Sequence, residues 1–265
     1  MLLAVASGVA LALSFPQYNF PLLAWIAVAL LMLASIGAKP AESLLYGFLH
    51  GLVFIPISVP WIDTVMQQYG NIDPWTSAGI LGLLAIRDGM IFAVFSLGVA
   101  LAARRSRELA CVLAPFLWVA LEFFDARVPI FSFPWNLLGY AACGNLAFLQ
   151  LTTIAGVYGL SFVVASYGSL VAYAKLERTR QAWTALIATS AILVLIGVCG
   201  GYFVPAARAR YTAHLVQTNF PQSESYPSNW MQIHATELDE IDRIDRKSTR
   251  LNSSHESVSR MPSSA

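Results

Sequence analysis

The sequence predicts an α-helical polytopic membrane bundle of about seven transmembrane helices, followed by the first strand and helix of an α/β domain. Apolar residues make up 57% of the chain and charged residues only 12%, against roughly 45–50% and about 25% in soluble globular domains. The apolar residues also gather into stretches that approach the ~20 residues a membrane helix needs. The formal net charge is only +1, so composition gives no electrostatic reason to expect a nucleic-acid partner.

Seven apolar stretches are predicted to form the spanning helices, and Pro16 and Pro21 mark the turn between the first two. The first stretch lacks the basic leader and small-residue cleavage site of a signal peptide, so we interpret it as a span. The predicted spans are residues 1–15, 21–37, 42–59, 77–102, 109–124, 150–174 and 182–204.

The distribution of Lys and Arg predicts the orientation. Alternate connections carry seven basic residues, whereas the intervening connections carry only Arg127. Basic residues are retained on the cytoplasmic side, so the N-terminus is predicted to be cytoplasmic and the chain from about residue 205 onward to lie outside. The seven basic residues are Lys39, Arg104, Arg105, Arg107, Lys175, Arg178 and Arg180.

Two long connections on the predicted outer face, 60–75 and 125–145, are rich in Trp, Tyr, Phe and Pro. An interfacial aromatic belt would account for scattered aromatics. A pair of long loops on one side only favours a second interpretation, a lipid-facing mouth that admits acyl chains and meets a polar head group. The candidate residues of this mouth are Trp61, Asp63, Phe133, Trp135 and Asn136.

Charged residues inside the predicted spans need polar surroundings. Arg87 and Asp88 lie near the middle of the fourth span. We expect them to face the bundle interior or a wet cavity in a structural role. Adjacent helical residues point about 100° apart, so they are not required to pair with each other.

Three motifs together resemble the bacterial apolipoprotein N-acyltransferases: "SFPQYNFPLLAW" (14–25), "APFLWVALEFFDARVPIFSFPWNLLGY" (114–140) and "VQTNFPQ" (216–222). The resemblance covers residues 1 to about 245. Glu122 matches a family position, and two roles are open for it. It either fixes the following loop by a hydrogen bond, which we favour, or contacts substrate at the lipid mouth.

The resemblance implies a nitrilase-like α-β-β-α sandwich on the periplasmic side of the bacterial inner membrane. It implies transfer of an acyl chain from a phospholipid, through a cysteine thioester, to the N-terminal diacylglyceryl-cysteine of an apolipoprotein. A glutamate base and a lysine that stabilises the oxyanion complete this chemistry. Besides these two substrates and the bilayer, no cofactor, metal or nucleic acid is expected, and we expect a monomer.

The predicted domains are a transmembrane domain over 1–204, the incomplete start of the nitrilase-like domain over 205–245, and a tail over 246–265. Tyr211–Gln217 is predicted to be the first strand of the sandwich, and 229–245 its first helix, with an apolar stripe at three- and four-residue steps. The Ser-rich tail is expected to be non-native sequence or a disordered end.

In the apolipoprotein N-acyltransferases that this sequence resembles, the catalytic Glu, Lys and Cys come later than this helix. No catalytic residue is therefore assigned here, and the chain alone is expected to be inactive. Cys111, Cys143 and Cys199 have no metal-type spacing, and we do not assign any of them as the nucleophile. Two other hypotheses stay open. One is a polytopic transporter, against which we find no internal repeat. The other is a non-enzymatic membrane scaffold.

Overall fold

The computed structural model describes residues 1–127 and 132–204, and beyond them only residues 235, 238, 239 and 241. The chain divides into two compact units, Met1–Pro205 and Ala206–Ala265, and the helical bundle is the first of them. The predicted strand Tyr211–Gln217, the tail 246–265 and residues 128–131 of the second outer loop lie outside the described residues. Of the predicted helix 229–245, the four described residues have helical backbone.

Residues 1–127 and 132–204 form α-helices, 3₁₀ turns and loops, with no β-strand among them. Three 3₁₀ helices cover Pro21–Leu23, Leu138–Ala142 and Gly200–Phe203. The α-helices are α1 (Leu2–Leu13), α2 (Ala24–Ser35), α3 (Pro40–Ser58), α4 (Trp61–Gln68), α5 (Pro74–Ala103), α6 (Arg107–Asp125), α7 (Leu146–Leu149), α8 (Thr152–Glu177) and α9 (Arg180–Cys199).

The prediction of a helical membrane bundle is confirmed. Four helices of the described residues are long and apolar enough to cross a membrane: α3, α5, α8 and the helix that begins with α9. Helices α1 and α2 are apolar but shorter. Helix α6 has 19 residues and carries charged side chains in its first and last turns.

Helices α3 and α5 are in backbone contact. A Cβ atom added at Gly47 would lie 2.0 Å from the carbonyl oxygen of Phe92, and one added at Gly51 would lie 2.7 Å from the Cα of Gly89. Small residues at such positions let membrane helices approach closely, since lipid tails supply no hydrophobic drive to association. These glycines therefore set the spacing between two central helices.

Polar side chains tie the N-terminal helices together. The Ser7 hydroxyl of α1 donates to the Ala27 carbonyl of α2 at 2.6 Å. The same oxygen lies 2.9 Å from His50 Nδ1 of α3, and His50 is fully buried. Hydrogen bonds of this kind link membrane helices, so α1, α2 and α3 pack as one group.

Helix α8 packs against α2 and α6. A Cβ added at Gly168 would lie 2.8 Å from Val28 Cβ of α2, and the Ser169 hydroxyl donates to the Cys111 carbonyl of α6. Near its start α8 is interrupted at Gly156, whose φ of 62° and ψ of −169° are not helical. Glycine adopts this backbone conformation without steric cost.

The basic connections lie together at one end of the bundle. Lys39, after α2, and Arg104, at the end of α5, line one cavity. Arg107, at the start of α6, pairs with Glu177 at the end of α8 at 3.3 Å. The predicted outer loops, 60–75 and 132–145, connect the opposite helix ends.

Candidate functional site

The two predicted outer loops meet through their aromatic rings. The centroids of Trp61 and Trp135 lie 5.2 Å apart, and Phe133 stacks on Trp135 at 6.2 Å. Trp61 is 41% exposed and Trp135 55% exposed. We call these three residues the aromatic rim.

The first outer loop contains a helix that was not predicted. Pro60 precedes α4, and Asp63 in its first turn accepts hydrogen bonds from Gln67 Nε2 at 2.9 Å and from the Ser77 hydroxyl of α5. These two hydrogen bonds hold the pKa of Asp63 below its ordinary value, and the bond from Ser77 has the larger effect. Asp63 thus fastens α4 to α5 and keeps Trp61 in position.

Asp73 starts α5 as its N-cap. Its side chain accepts the backbone N–H groups of Trp75 and Thr76, both at 3.1 Å. Hydrogen bonds from Thr76 and Trp75 lower the pKa of this carboxyl. A residue of this type satisfies N–H groups that the first helical turn leaves unpaired, which explains why α5 begins where it does.

A cavity borders the rim between α1, α3, α5, α6 and the second outer loop. It has room of about 50 Å³ for the centres of water-sized molecules, within about 590 Å³ of non-atom space that includes the open mouth. We call it the α5–α6 cavity. Its walls are mainly apolar, with four polar side chains among them. The lining residues are Leu11, Phe54, Ile55, Asp88, Ile91, Phe92, Phe95, Trp118, Leu121, Glu122, Asp125, Phe133, Pro134, Asn136 and Leu137.

Glu122 fixes the second outer loop to α6. Its Oε1 accepts the indole N–H of Trp118 at 2.9 Å and the backbone N–H of Leu138 at 2.7 Å. One residue farther on, the backbone N–H of Gly139 donates to the Ser161 hydroxyl of α8 at 2.8 Å. The loop-fixing hydrogen bond expected of Glu122 is therefore present in the structure.

Arg87 and Asp88 form an ion pair, and Arg87 also pairs with Asp125 at the end of α6. The side chains are 17%, 11% and 11% exposed, respectively. Asp125, which the sequence assigns to the outer connection, thus lies against α5. The sequence did not require Arg87 and Asp88 to pair with each other. They pair in the structure because Arg87 is mostly buried and turns toward both available carboxylates.

Three buried polar atoms on the cavity-lining side chains have no hydrogen-bond partner within the described part of the chain, and one of them, Asp125 Oδ1, is in the ion pair with Arg87. Glu122 Oε2 and Asn136 Nδ2 are both buried, although the Ser161 hydroxyl lies near the Glu122 carboxyl. Buried polar groups are nearly always satisfied. One acceptor and one donor are thus available to water or to a polar ligand.

The cavity lacks a nucleophilic sulfur among its described lining residues. Cys143 lies nearest in sequence, and its Sγ donates to the Gly139 carbonyl at 3.3 Å, but it does not line the cavity. Among the described residues no cluster of three His, Cys, Asp or Glu side chains could hold a metal ion. The arrangement can bind an amphipathic molecule, with apolar walls for a chain and polar groups at one side.

A family model for the apolipoprotein N-acyltransferase N-terminal domain matches residues 7–170. The chain belongs to the apolipoprotein N-acyltransferase family. The matched segment contains the aromatic rim and the whole lining of the α5–α6 cavity.

Individual family members show the same similarity. An apolipoprotein N-acyltransferase of Geobacter metallireducens is 33% identical over 247 residues, which cover 87% of this chain and 45% of that protein. One of Methylococcus capsulatus is 30% identical over 196 residues, or 73% of this chain and 38% of that protein. The chain spans less than half the length of these curated relatives.

Of the six predicted mouth residues, the structure brings Phe133, Glu122 and Asn136 to the cavity wall and Trp61 and Trp135 to the rim. Asp63 does not line the cavity. The sequence interpretation omitted Asp125, Ser161 and the lining role of Asp88. The charge of Arg87 inside an apolar span was the signal that could have found Asp125, because such a charge requires a partner.

Proposed function

We propose that the chain is the membrane part of an apolipoprotein N-acyltransferase. In this reaction an acyl chain passes from a phospholipid to an enzyme cysteine as a thioester, and then to the α-amino group of a lipoprotein's diacylglyceryl-cysteine. The observation that carries the proposal is the family match over residues 7–170, since this segment contains the rim and the cavity. The match favours this activity over the transporter and scaffold hypotheses.

The aromatic rim and the α5–α6 cavity form the entry for the acyl donor in this proposal. Lipid tails are as apolar as the cavity walls, so moving a chain from the bilayer into the cavity changes its hydrophobic free energy little. Selection must therefore come from polar contacts. Glu122 Oε2 and Asn136 Nδ2, both buried and unpaired in the described structure, are suited to contact the ester or head group.

The catalytic Glu, Lys and Cys are proposed to lie in a periplasmic nitrilase-like domain that starts at 205–245, and not in the bundle. The bundle supplies the lipid, and the soluble domain supplies the nucleophile and its base. A base is needed because a thiol near its ordinary pKa is mostly protonated at neutral pH. The 265-residue chain alone is accordingly expected to transfer no acyl groups.

The proposed topology has seven crossings in the bacterial inner membrane, with the N-terminus cytoplasmic. Helix α1 has 12 residues and is about 18 Å long, against a hydrocarbon core of about 30 Å. The first two crossings therefore need the residues of their flanking turns to reach across the hydrocarbon core. A compartment-sensitive reporter after residue 210 is expected to report the periplasm, and one after residue 105 the cytoplasm. A cytoplasmic signal after residue 210 would contradict the topology.

The activity is tested with the full gene product in lipid vesicles. The substrates are phospholipid labelled in its acyl chain and a diacylglyceryl-cysteine peptide. We expect transfer of label to the peptide amine, and a several-fold slower rate for Trp135→Ala with the bundle still folded. Trp75→Ala is the matched control, because Trp75 is 88% exposed and outside the rim. Absence of transfer by the unmodified gene product would refute the proposed function.

A further inference from the structure

A second cavity lies at the basic end of the bundle, away from the aromatic rim. It has a volume of about 580 Å³ including its mouth. It lies between the α2–α3 turn and the last turn of α5, and we call it the basic-end cavity. Its two charged lining residues are Lys39 and Arg104, and its other walls are small residues such as Gly37, Ala100 and Ala103.

The two cations are free to bind an anion. Neither Lys39 nor Arg104 takes part in an ion pair within the described residues. Both are exposed. The acid nearest in sequence to Lys39 is Glu42, whose Oε2 accepts the backbone N–H of Lys39 at 3.1 Å, and Glu42 does not line the cavity.

The local charge balance is positive. Helix α3 begins at the cavity and contributes about +0.5 of a charge, while the end of α5 contributes about −0.5. These two contributions cancel, which leaves the two full positive charges of Lys39 and Arg104 against the one negative charge of Glu42, whose carboxylate accepts the Lys39 backbone N–H. The neighbouring Arg105 is also exposed, so a bound anion would meet a third cation close by.

The position of the cavity indicates where the anion comes from. Helices α3 and α5 are both long and apolar enough to cross a membrane, and the cavity lies where their ends meet. It is therefore at the level of lipid head groups. Basic pockets between transmembrane helices at this level are suited to anionic lipid head groups.

We propose that the basic-end cavity binds the phosphate group of an anionic membrane phospholipid. Lys39 supplies a point charge and Arg104 a planar fork of donors that matches phosphate oxygens. The small side chains of the walls leave room for the head group to reach both. This site is separate from the acyl-donor entry and does not depend on the proposed acyltransferase activity, only on the membrane crossing of α3 and α5.

The test uses the full 265-residue chain in nanodiscs of zwitterionic phospholipid with increasing phosphatidylglycerol, and native mass spectrometry to count retained lipid. The Lys39→Gln/Arg104→Gln variant is expected to bind phosphatidylglycerol roughly tenfold or more weakly. The matched control is Lys175→Gln/Arg180→Gln, which removes two charges from the same end outside the cavity. It is expected to bind like the unmodified chain.

Three results would overturn the proposal. The control could lose lipid as strongly as the cavity variant, which would indicate a diffuse surface field. Inorganic phosphate could displace the lipid fully at millimolar concentration, which would assign the site to a free anion. The charge-preserving variant Lys39→Arg, which leaves the Arg104 fork in place and is expected to retain the lipid, could lose it, which would indicate that the cavity variant acts through misfolding.

Discussion

The Glu122 carboxylate, in the last turn of α6, accepts the backbone N–H of Leu138 at 2.7 Å. This bond joins a helix of the bundle to the outer loop that carries Phe133, Trp135 and Asn136. Because the same oxygen accepts the Trp118 indole N–H, the loop is connected to a side chain that lines the α5–α6 cavity.

Glu122→Ala is expected to release the second outer loop. The change leaves the Leu138 N–H and the Trp118 indole N–H without an acceptor, and each unsatisfied group costs about 1–3 kcal/mol. Glu122→Gln keeps the Oε1 acceptor and is expected to keep the loop. The measurement is hydrogen–deuterium exchange at Leu138, which should be fast in the alanine variant and slow in the glutamine variant. Fast exchange in both variants would show that the charge is needed to hold the loop, and slow exchange in both would show that Glu122 does not hold it.

Arg87→Gln is expected to destabilise the bundle by about 3–5 kcal/mol, because it leaves the buried Asp88 and Asp125 carboxylates without their cation. The combined variant Arg87→Gln/Asp88→Asn/Asp125→Asn removes all three charges and is expected to cost less than the single change. Reversible unfolding in micelles measures both. A triple variant that is less stable than the single variant would contradict the ion pairing of Arg87 with these two carboxylates.

Gly51→Ala is expected to separate α3 from α5. The added Cβ would lie 2.7 Å from Gly89 Cα, and overpacking of this kind costs about 1–3 kcal/mol. Gly82→Ala in α5 is the matched control, since no atom lies within 4 Å of its added Cβ, and it should be neutral or slightly stabilising. Thermal unfolding midpoints compare the two, and equal midpoints would exclude close packing at Gly51.

The Ser77–Asp63 hydrogen bond predicts a pH dependence in the first outer loop. The pKa of Asp63 is lowered from 3.8 mainly by the Ser77 hydroxyl. A carboxyl with a lowered folded pKa stabilises the loop above its ordinary pKa, and this stabilisation is lost as the pH falls through the folded pKa. Ser77→Ala should raise the pKa of Asp63, measured by ¹³C NMR of labelled aspartate. Asp73, bonded to Thr76 and Trp75, should titrate as before, and an unmoved Asp63 would show that Ser77 does not hold this carboxyl.

The apolar stretches predicted the helices closely, because charged residues are costly inside the bilayer and Pro is favoured at the first position of a helix, as at Pro40 and Pro74. The predicted span 77–102 corresponds to α5, Pro74–Ala103, and 182–204 begins close to the start of α9 at Arg180. The aromatic loops indicated a mouth, but the ring contact between Trp61 and Trp135 depends on how two long loops fold. Helix α4 was not predicted because its eight residues, Trp61–Gln68, are too few to show a helical period of apolar residues.

The partner of Arg87 could have been predicted from helix register. Arg87 lies 16 residues before the end of α5, and Asp125 lies 18 residues after the start of α6. Consecutive helices joined by a short turn run antiparallel, so the two side chains come to the same level of the bundle. The break at Gly156 has no comparable signal, because glycine also occurs within intact helices of this chain, as at Gly89.

Photo-crosslinking in vesicles can show whether the aromatic rim is the entry for the lipid acyl chain. A photoreactive residue replaces Trp135 in one sample and Trp75 in another, and the vesicles contain phospholipid with a tagged acyl chain. Both positions are exposed, at 55% and 88%, so random lipid contact would label position 75 at least as strongly. We predict stronger labelling at position 135 that excess untagged phospholipid suppresses. Labelling that is equal at both positions and not suppressed would mean that the rim is not the acyl-chain entry.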